Sequence, residues 1–457
     1  MEQAQHKKRP LSKIFPLRES NTTVLTEVIA GVTTFLSLSY IIFVQPTVLS
    51  ATGMDFGAVM TATCIASAVA TILMGVLARY PIALAPGMGH NLYFAFIVAA
   101  PVAAGGLGFT WQTALGANLI AGTIFVIFSA TGIGFREYIM EIIPDAIKHS
   151  LAVGIGLLIA LVGFQYGGVI VPNQGTIVGL GNPKSPEVWL TLLGTMAMGS
   201  LIVWRIKGAI LIGMAVTAGV AVPLGLIRYH GVVSLPPSLA PTFFKFNFID
   251  MFKDPEIVSV IFVFFFLDLF DTVGTLIGVS EYGGFMRDGK LPRASWALLS
   301  DAIGTVVGAA LGTSTITSYI ESTAGVQAGG RTGLANMVTA FLMLISLFFF
   351  PLVEAVGGGY QVEGGRYLYP VIAPALIIVG SIMLGGTKKI NWDDPSEAIP
   401  AFLTISIIPY SMSITEGMAF GFVSYSILKA VRGKGLEVHW AFHVISAAFI
   451  ARYVLLE

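Results

Sequence analysis

The sequence predicts an all-α polytopic membrane protein, and three observations carry that prediction. Of the 457 residues, 55% are hydrophobic and only 11% charged, where a soluble domain carries roughly a quarter charged residues; mean hydropathy is +0.83. Apolar runs approaching the about 20 residues that a spanning helix needs recur from one end of the chain to the other. The Lys and Arg residues fall in alternate connections, as a fixed orientation across a bilayer requires.

In chain order the runs lie at 24–45, 56–78, 88–101, 110–131, 145–168, 187–204, 207–227, 256–279, 294–312, 318–330, 334–354, 368–386, 397–413 and 415–431, which makes fourteen candidate spans. Residues 1–23 precede them. Lys7, Lys8, Arg9, Lys13 and Arg18 stand there without an apolar core, so the segment reads as a retained cytoplasmic tail and not as a signal peptide. With the amino terminus inside, the cytoplasmic loops collect Arg79, Arg136, Lys148, Arg205, Lys207, Arg287, Lys290, Arg293, Arg331, Lys388 and Lys389. The outer loops hold only Lys184, Arg228, Lys245, Lys253 and Arg366. An error of one span would scramble every later loop, so the bias supports an even count within 24–436 and two cytoplasmic termini. The stretch 437–457 contains His439, His443 and Arg452 and reads as an interfacial helix rather than a fifteenth span.

Composition also excludes classes of function. The basic residues are dispersed through short loops, so nucleic acid is not a partner. Cys64 is the single cysteine and forms no intrachain disulfide. His439 and His443 have no acidic or thiol neighbour to complete a metal site, and no cofactor is expected.

The third and tenth runs are short and irregular. Ala83-Leu-Ala-Pro-Gly-Met-Gly-His-Asn-Leu-Tyr-Phe94 and Gly312-Thr-Ser-Thr-Ile-Thr-Ser-Tyr-Ile-Glu-Ser-Thr-Ala-Gly325 each pair an extended lead-in with a brief helix. They occupy equivalent places if the fourteen spans divide seven plus seven, and an odd number per repeat inverts the second copy. Discontinuous helices at matching places in an inverted repeat point to a transporter's binding site.

The eighth run places Asp268 and Asp271 in a strongly apolar stretch, three residues apart and so on one helix face. Burying a charge at the centre of a span costs at least about 2.5 kcal/mol, so these acids are expected to face a cavity. The alternative for Asp271 is a neutral carboxyl that fastens helices. Glu321 follows the Thr313-Ser-Thr-Ile-Thr-Ser318 lead-in, as a site residue or a helix cap. Asn91 offers both a donor and an acceptor to a planar heterocycle, and Gly87 and Gly89 permit close approach of backbone. His90 adjoins Asn91 but points in another direction on a helix, into the site or into packing. Tyr93, Phe94, Thr272 and Ser318 are the site's expected neighbours. Glu416 reads as a turn or cap residue.

On these residues the chain resembles the nucleobase:cation symporter-2 superfamily, in its AzgA-like purine permease branch. The segments that carry the resemblance are Thr26-Glu-Val-Ile-Ala-Gly-Val-Thr-Thr-Phe-Leu36, Ala85-Pro-Gly-Met-Gly89 with Asn91, and Asp268-Leu-Phe-Asp-Thr-Val-Gly-Thr275. Thr317-Ser-Tyr-Ile-Glu-Ser322, Gly329-Gly-Arg-Thr-Gly333 and Glu397-Ala-Ile-Pro-Ala-Phe402 complete the set. The resemblance implies a core domain of spans one to four and eight to eleven (24–131 and 256–354). This core moves in elevator fashion against a gate domain of spans five to seven and twelve to fourteen (141–229 and 367–431). It implies that Gly89, Asn91, Asp268 and Glu321 bind a purine, with Asp271 nearby, and that a proton is the coupling ion through Asp268, Glu321 or Asp271. It further implies a bacterial inner-membrane location and a homodimer formed through the gate domains. Two positions depart from the branch, His90 for an apolar residue and Gln45-Pro46 for Asn-Pro, so the choice among guanine, hypoxanthine and adenine does not transfer.

Burial disfavours the charged form of a carboxyl group, so one of these acids is expected to take up a proton outside and release it inside. An intramembrane aspartyl protease would need its acids on separate spans within a signature that is absent here. A same-fold carrier of xanthine, uracil or a small anion is the alternative, the anion being disfavoured by acids at the half-helix starts.

Overall fold

The protein is described here by a computed structural model that covers residues 15–130, 142–173, 175–227, 229–287, 291–362 and 366–455. Lys7, Lys8, Arg9, Lys13, Arg136, Arg228 and Lys290 lie outside the described residues. Helix occupies every one of the fourteen apolar runs. Eight helical stretches among the described residues are long and apolar enough to cross a membrane, with shorter apolar helices beside them, so the chain is a polytopic membrane protein.

Local signals set the boundaries. Helix α1 (Val24–Leu38) begins where the Thr23 hydroxyl accepts from the Thr26 N–H at 3.2 Å, and a short break leads to α2 (Ile41–Ser50). Asp55 caps α3 (Phe56–Leu73) by accepting from the Ala58 N–H at 2.7 Å. Strand β1 (Leu84–Pro86) then enters the six-residue α4 (Met88–Tyr93). Next come α5 (Trp111–Ala130), α6 (Asp145–Tyr166), a hairpin of β2 (Ile170–Asn173) and β3 (Ile177–Leu180), α7 (Pro186–Val203) and α8 (Ala209–Ala221). Pro186 opens α7 where no N–H is required.

Beyond them follow α9 (Glu256–Gly283), α10 (Ala294–Leu311), β4 (Ile316–Ser318), α11 (Ser322–Gln327), α12 (Leu334–Ile345) and α13 (Phe350–Gly357). A second surface hairpin, β5 (Tyr360–Gln361) and β6 (Tyr367–Leu368), precedes α14 (Ala373–Met383), α15 (Pro395–Ser411), α16 (Ile414–Val431) and α17 (Trp440–Leu455). The two hairpins depart from the all-α expectation. They lie in the connections between apolar runs, where periodicity carries no signal.

Packing sorts the helices into two sets. In one, α3 and α5 pack on α10, α1 and α3 on α12, and α9 on α5 and α11. In the other, α6 packs on α14 and α15, α7 on α8 and α14, and α15 on α16. Small residues allow the second set its close crossing: a Cβ on Gly380 would lie 2.4 Å from the Gly156 carbonyl oxygen, so α6 and α14 touch backbone to backbone.

Two of the motifs that carry the family resemblance meet inside the first set. Glu27 of α1 is fully buried and accepts the N–H of Arg331 at 2.8 Å and those of Thr332 and Ala335 at 3.2 Å. Its carboxylate thereby closes the open start of α12, where unsatisfied N–H groups and the helix dipole favour negative charge.

The terminal helix α17 packs on α16. It runs antiparallel along α16, with Ser446 hydrogen-bonded to Ser426 at 2.8 Å, Phe449 edge-on to Phe422, and Arg452 on Glu416 at 3.1 Å. His443 meets Ser426 and the Gly435 carbonyl. Its polar residues His443, Ser446 and Arg452 thus have partners within the bundle.

Candidate functional site

The two irregular spans cross at mid-bundle as a two-stranded antiparallel ribbon, with Leu84 opposite Ser318, Ala85 opposite Thr317 and Pro86 opposite Ile316. Non-helical backbone at that depth survives only where its polar groups are satisfied. Here the two strands pair with each other, and Thr71, Ser322 and Thr305 take up further backbone groups of Leu84, Ala83 and Ile316, while the side chains of the Thr/Ser-rich lead-in reach one helix after another. Gln45 of α2 donates to Thr313 at 2.9 Å and Ser314 at 3.0 Å, and Thr63 of α3 meets Thr313 at 3.1 Å. Ser314 donates to Asn91 of α4, and Thr315 donates to Asn118 of α5 at 2.5 Å. Thr317 donates to Asp271 of α9 at 3.2 Å, and Ser318 to Asp301 of α10 at 3.2 Å. The residues following each strand then start the short helices α4 and α11.

Around this ribbon lie four acids. Asp268 is 1% exposed, and its Oδ2 accepts from the Thr305 hydroxyl at 3.0 Å. Thr305 in turn accepts the Ile316 N–H at 3.2 Å, which ties α10 to the ribbon. Asp301 is fully buried and accepts from Thr272 at 2.7 Å as well as from Ser318. Asp268 Oδ1 and Asp301 Oδ2 are buried and have no hydrogen-bond partner.

Asp271 has a different setting. It is exposed, and so are Gly274, Glu281 and Tyr282 on the same face of α9. A Cβ on Gly274 would meet nothing within 4 Å. At about 100° per residue this stripe is opposite the exposed Val258 and Phe262 near the start of α9. An open space therefore runs from Asp271 toward the Gly283 end of α9. Glu321 stands at the N-cap of α11, but its side chain makes no capping hydrogen bond. Its carboxylate accepts from the Tyr40 hydroxyl at 2.9 Å, the Tyr40 ring lies 6.5 Å from that of Tyr319, and Tyr319 donates to the Pro86 carbonyl at 2.5 Å.

The structure thus gathers Asp268, Asp271, Thr272, Ser318 and Glu321 about β4 and α11. Asp301 was not anticipated, although one acid in the apolar run 294–312 is the same signal that marks Asp268. Thr272 and Ser318 serve Asp301. Asn91 is fully buried, its amide oxygen engaged by Ser314 and its nitrogen 3.8 Å from the Met88 sulfur. Gly89 faces the second helix set, since a Cβ there would lie 3.0 Å from Ile155 of α6. His90 is 1% exposed, with neither ring nitrogen hydrogen-bonded. Tyr93 and Phe94 pack on Phe264 at 5.1 and 6.4 Å. Glu416 is not the cap of α16; Ser413 is, accepting the Glu416 N–H at 3.3 Å.

The described residues contain no cluster of His, Cys, Asp or Glu suited to a metal ion. The arrangement can instead offer hydrogen-bond acceptors to a polar solute in the open space and hold a proton behind it.

A sequence profile described as the Permease family matches residues 25–420. The chain is 42% identical to the guanine/hypoxanthine permease PbuO of Bacillus subtilis over 97% of this chain and 100% of that protein. It is 39% identical to the adenine permease AdeP of Escherichia coli over 98% of this chain and 96% of that protein. The transmembrane domain of the cyanobacterial bicarbonate transporter BicA superposes with a TM-score of 0.62 at 14% identity, covering 87% of this chain and 97% of that domain. That likeness concerns the fold alone.

Proposed function

Because this chain belongs to the Permease family, in its purine permease branch, we propose that it imports a purine nucleobase together with a proton. It is a nucleobase transporter and not an enzyme. The observation that carries the finer reading is the attachment of all four acids to the crossing of the two broken spans.

In this reading the fourteen spans form the seven-plus-seven inverted repeat. The set built on α3, α5, α9 and α10 is the core, and the set built on α6, α14, α15 and α16 is the gate. The purine enters the space in front of Asp271 and Glu321, which accept its ring N–H donors, with Tyr40 holding Glu321 in place. Asn91 orders the lead-in of α11 through Ser314. Asp268, buried beside Thr305, holds the coupled proton out of reach of bulk water. The opening toward the Gly283 end of α9, next to Arg287 and Arg293, corresponds to a cytoplasm-facing state. Acids at the crossing repel an anion, so a bicarbonate-like substrate is disfavoured despite the shared fold.

The test is uptake of labelled hypoxanthine, guanine, adenine and uracil in bacteria lacking their own nucleobase permeases, with and without a protonophore. A purine should accumulate, and the protonophore should abolish its accumulation. Asp268→Asn should reach the membrane and fail to accumulate. Normal accumulation by that variant, or accumulation indifferent to the protonophore, refutes the coupling scheme.

A further inference from the structure

Three helix ends meet at the face of the bundle opposite the open space. Glu256 is in the first turn of α9, Glu416 in the first turn of α16, and Arg452 in the last turn of α17. Arg452 Nη1 is 3.1 Å from Glu416 and Nη2 is 4.0 Å from Glu256. Tyr453 donates its hydroxyl to Glu416 as well, and the Arg452 guanidinium lies 5.7 Å from the Tyr453 ring centre. Each charge complements the dipole of its own helix, which accounts for its residue type. It does not account for the three helices converging. Glu256 belongs to the α9 set and Glu416 to the α16 set, so one guanidinium spans the seam between the two. Beneath it is a cavity of about 150 Å³ whose lining includes Tyr93, Ser259, Thr415 and these three charged residues.

The path of α17 fixes which side this is. Helix α17 is in contact with α16 from Ser426 back to Glu416, the end remote from the 432–439 connection. Its 16 residues give a length of roughly 24 Å, against roughly 27 Å for the 18 residues of α16. If α16 crosses the membrane, α17 crosses back. The loop cations place the starts of the eighth and fourteenth spans together on the outer side, and those are the helix starts that Arg452 joins.

We infer that α17 is an additional membrane span, and that Arg452 at its outer end is a positioning residue for transport. It latches the two helix sets closed on the outside while the site opens inward. The inference rests on the core-and-gate reading proposed above. Release of the latch would let α9 part from α16 and open the cavity to the outside. The charged pairs are half-buried at a seam that moves, so they weigh on one state only, and an interaction unequal between two states shifts their populations.

Because Cys64 is the single native cysteine and is buried, an introduced cysteine can be read alone. Two probes are made, Ser259→Cys in the cavity wall and a cysteine appended after Glu457. Both are treated in intact cells with a membrane-impermeant maleimide. The appended cysteine should label without permeabilisation; protection until the cells are opened overturns the crossing of α17. Ser259→Cys should label slowly beside Arg452, about ten-fold faster with Arg452→Gln, and near the parent rate with Arg452→Lys. Equal rates in all three overturn the latch. For a protein still present in the membrane, Arg452→Gln should also lower KM for external purine by several-fold together with Vmax, since more carriers face outward. A fall in Vmax alone overturns the latch. If the parent moves no purine yet the labelling rate still rises, the latch holds and the purine reading fails instead.

Discussion

Replacing Asp301 separates its two duties. Alanine at 301 leaves the hydroxyls of Thr272 and Ser318, now donating at 2.7 and 3.2 Å, without an acceptor inside the bundle. A buried polar group left unsatisfied costs about 1–3 kcal/mol, so Asp301→Ala should lose about 2–6 kcal/mol from those two groups. Asparagine keeps a carbonyl oxygen for the hydroxyls, so Asp301→Asn should stay within about 1 kcal/mol of the parent. It cannot take up or release a proton, because an amide does not titrate. Denaturation of the purified protein in detergent should therefore rank the parent and Asn together, well above Ala. Uptake should show the Asn variant exchanging purine across the membrane without accumulating it. An Ala variant as stable as the Asn variant refutes the hydrogen-bond accounting. An Asn variant that accumulates purine like the parent refutes a part for Asp301 in proton coupling.

Three further outcomes are expected. Glu27→Ala strands the N–H groups of Arg331, Thr332 and Ala335; at about 1–3 kcal/mol each it should leave little folded protein in the membrane, and immunoblotting that finds parent levels counts against the cap. Tyr40→Phe deletes the donor to Glu321, worth about 0.5–1.5 kcal/mol, so KM for the purine should rise about 2- to 13-fold at constant expression, whereas an unchanged KM removes Glu321 from the site. Asp394 is held at about 2, below its ordinary 3.8, by the Ser396 hydroxyl and N–H and by Arg432. With a depressed value the unfolded state binds the proton first, so the stabilisation is complete above pH 3.8 and is lost as pH falls through about 2. Stability measured across that window should slope downward on acidification in the parent and less so in Asp394→Asn.

What was legible in the sequence was what the bilayer forces onto single segments. Pro86 and Gly87, and the run Thr313-Ser-Thr-Ile-Thr-Ser318, announce broken spans because lipid does not tolerate unpaired backbone. Asp268 stands out because a carboxyl in an apolar helix is costly. Which groups meet was not legible. The bond of Asp268 to Thr305, and the engagement of Thr272 and Ser318 by Asp301, join three elements through tertiary packing that leaves no periodic trace. Asp301 itself sits between Ser300 and Ala302 in a run of small residues, and lacks the second nearby acid that singled out Asp268 and Asp271. The partners of the terminal helix were hidden for a related reason. Hydropathy treats His443 and Arg452 as polar wherever they stand, but their partners on α16 and α9 take them out of that category.

The β1–β4 ribbon has a consequence for how the chain is made. Tyr319 and Pro86 are 233 residues apart, and the strands they border satisfy each other's backbone. At roughly 5–20 residues per second on the ribosome, the first strand waits on the order of tens of seconds for the second to be synthesised. During that interval Leu84–Pro86 cannot rest in lipid with its N–H and C=O groups bare. The early half of the protein must stay against the translocon or a chaperone until β4 arrives, so a chain truncated before residue 316 should be degraded as an unfinished product.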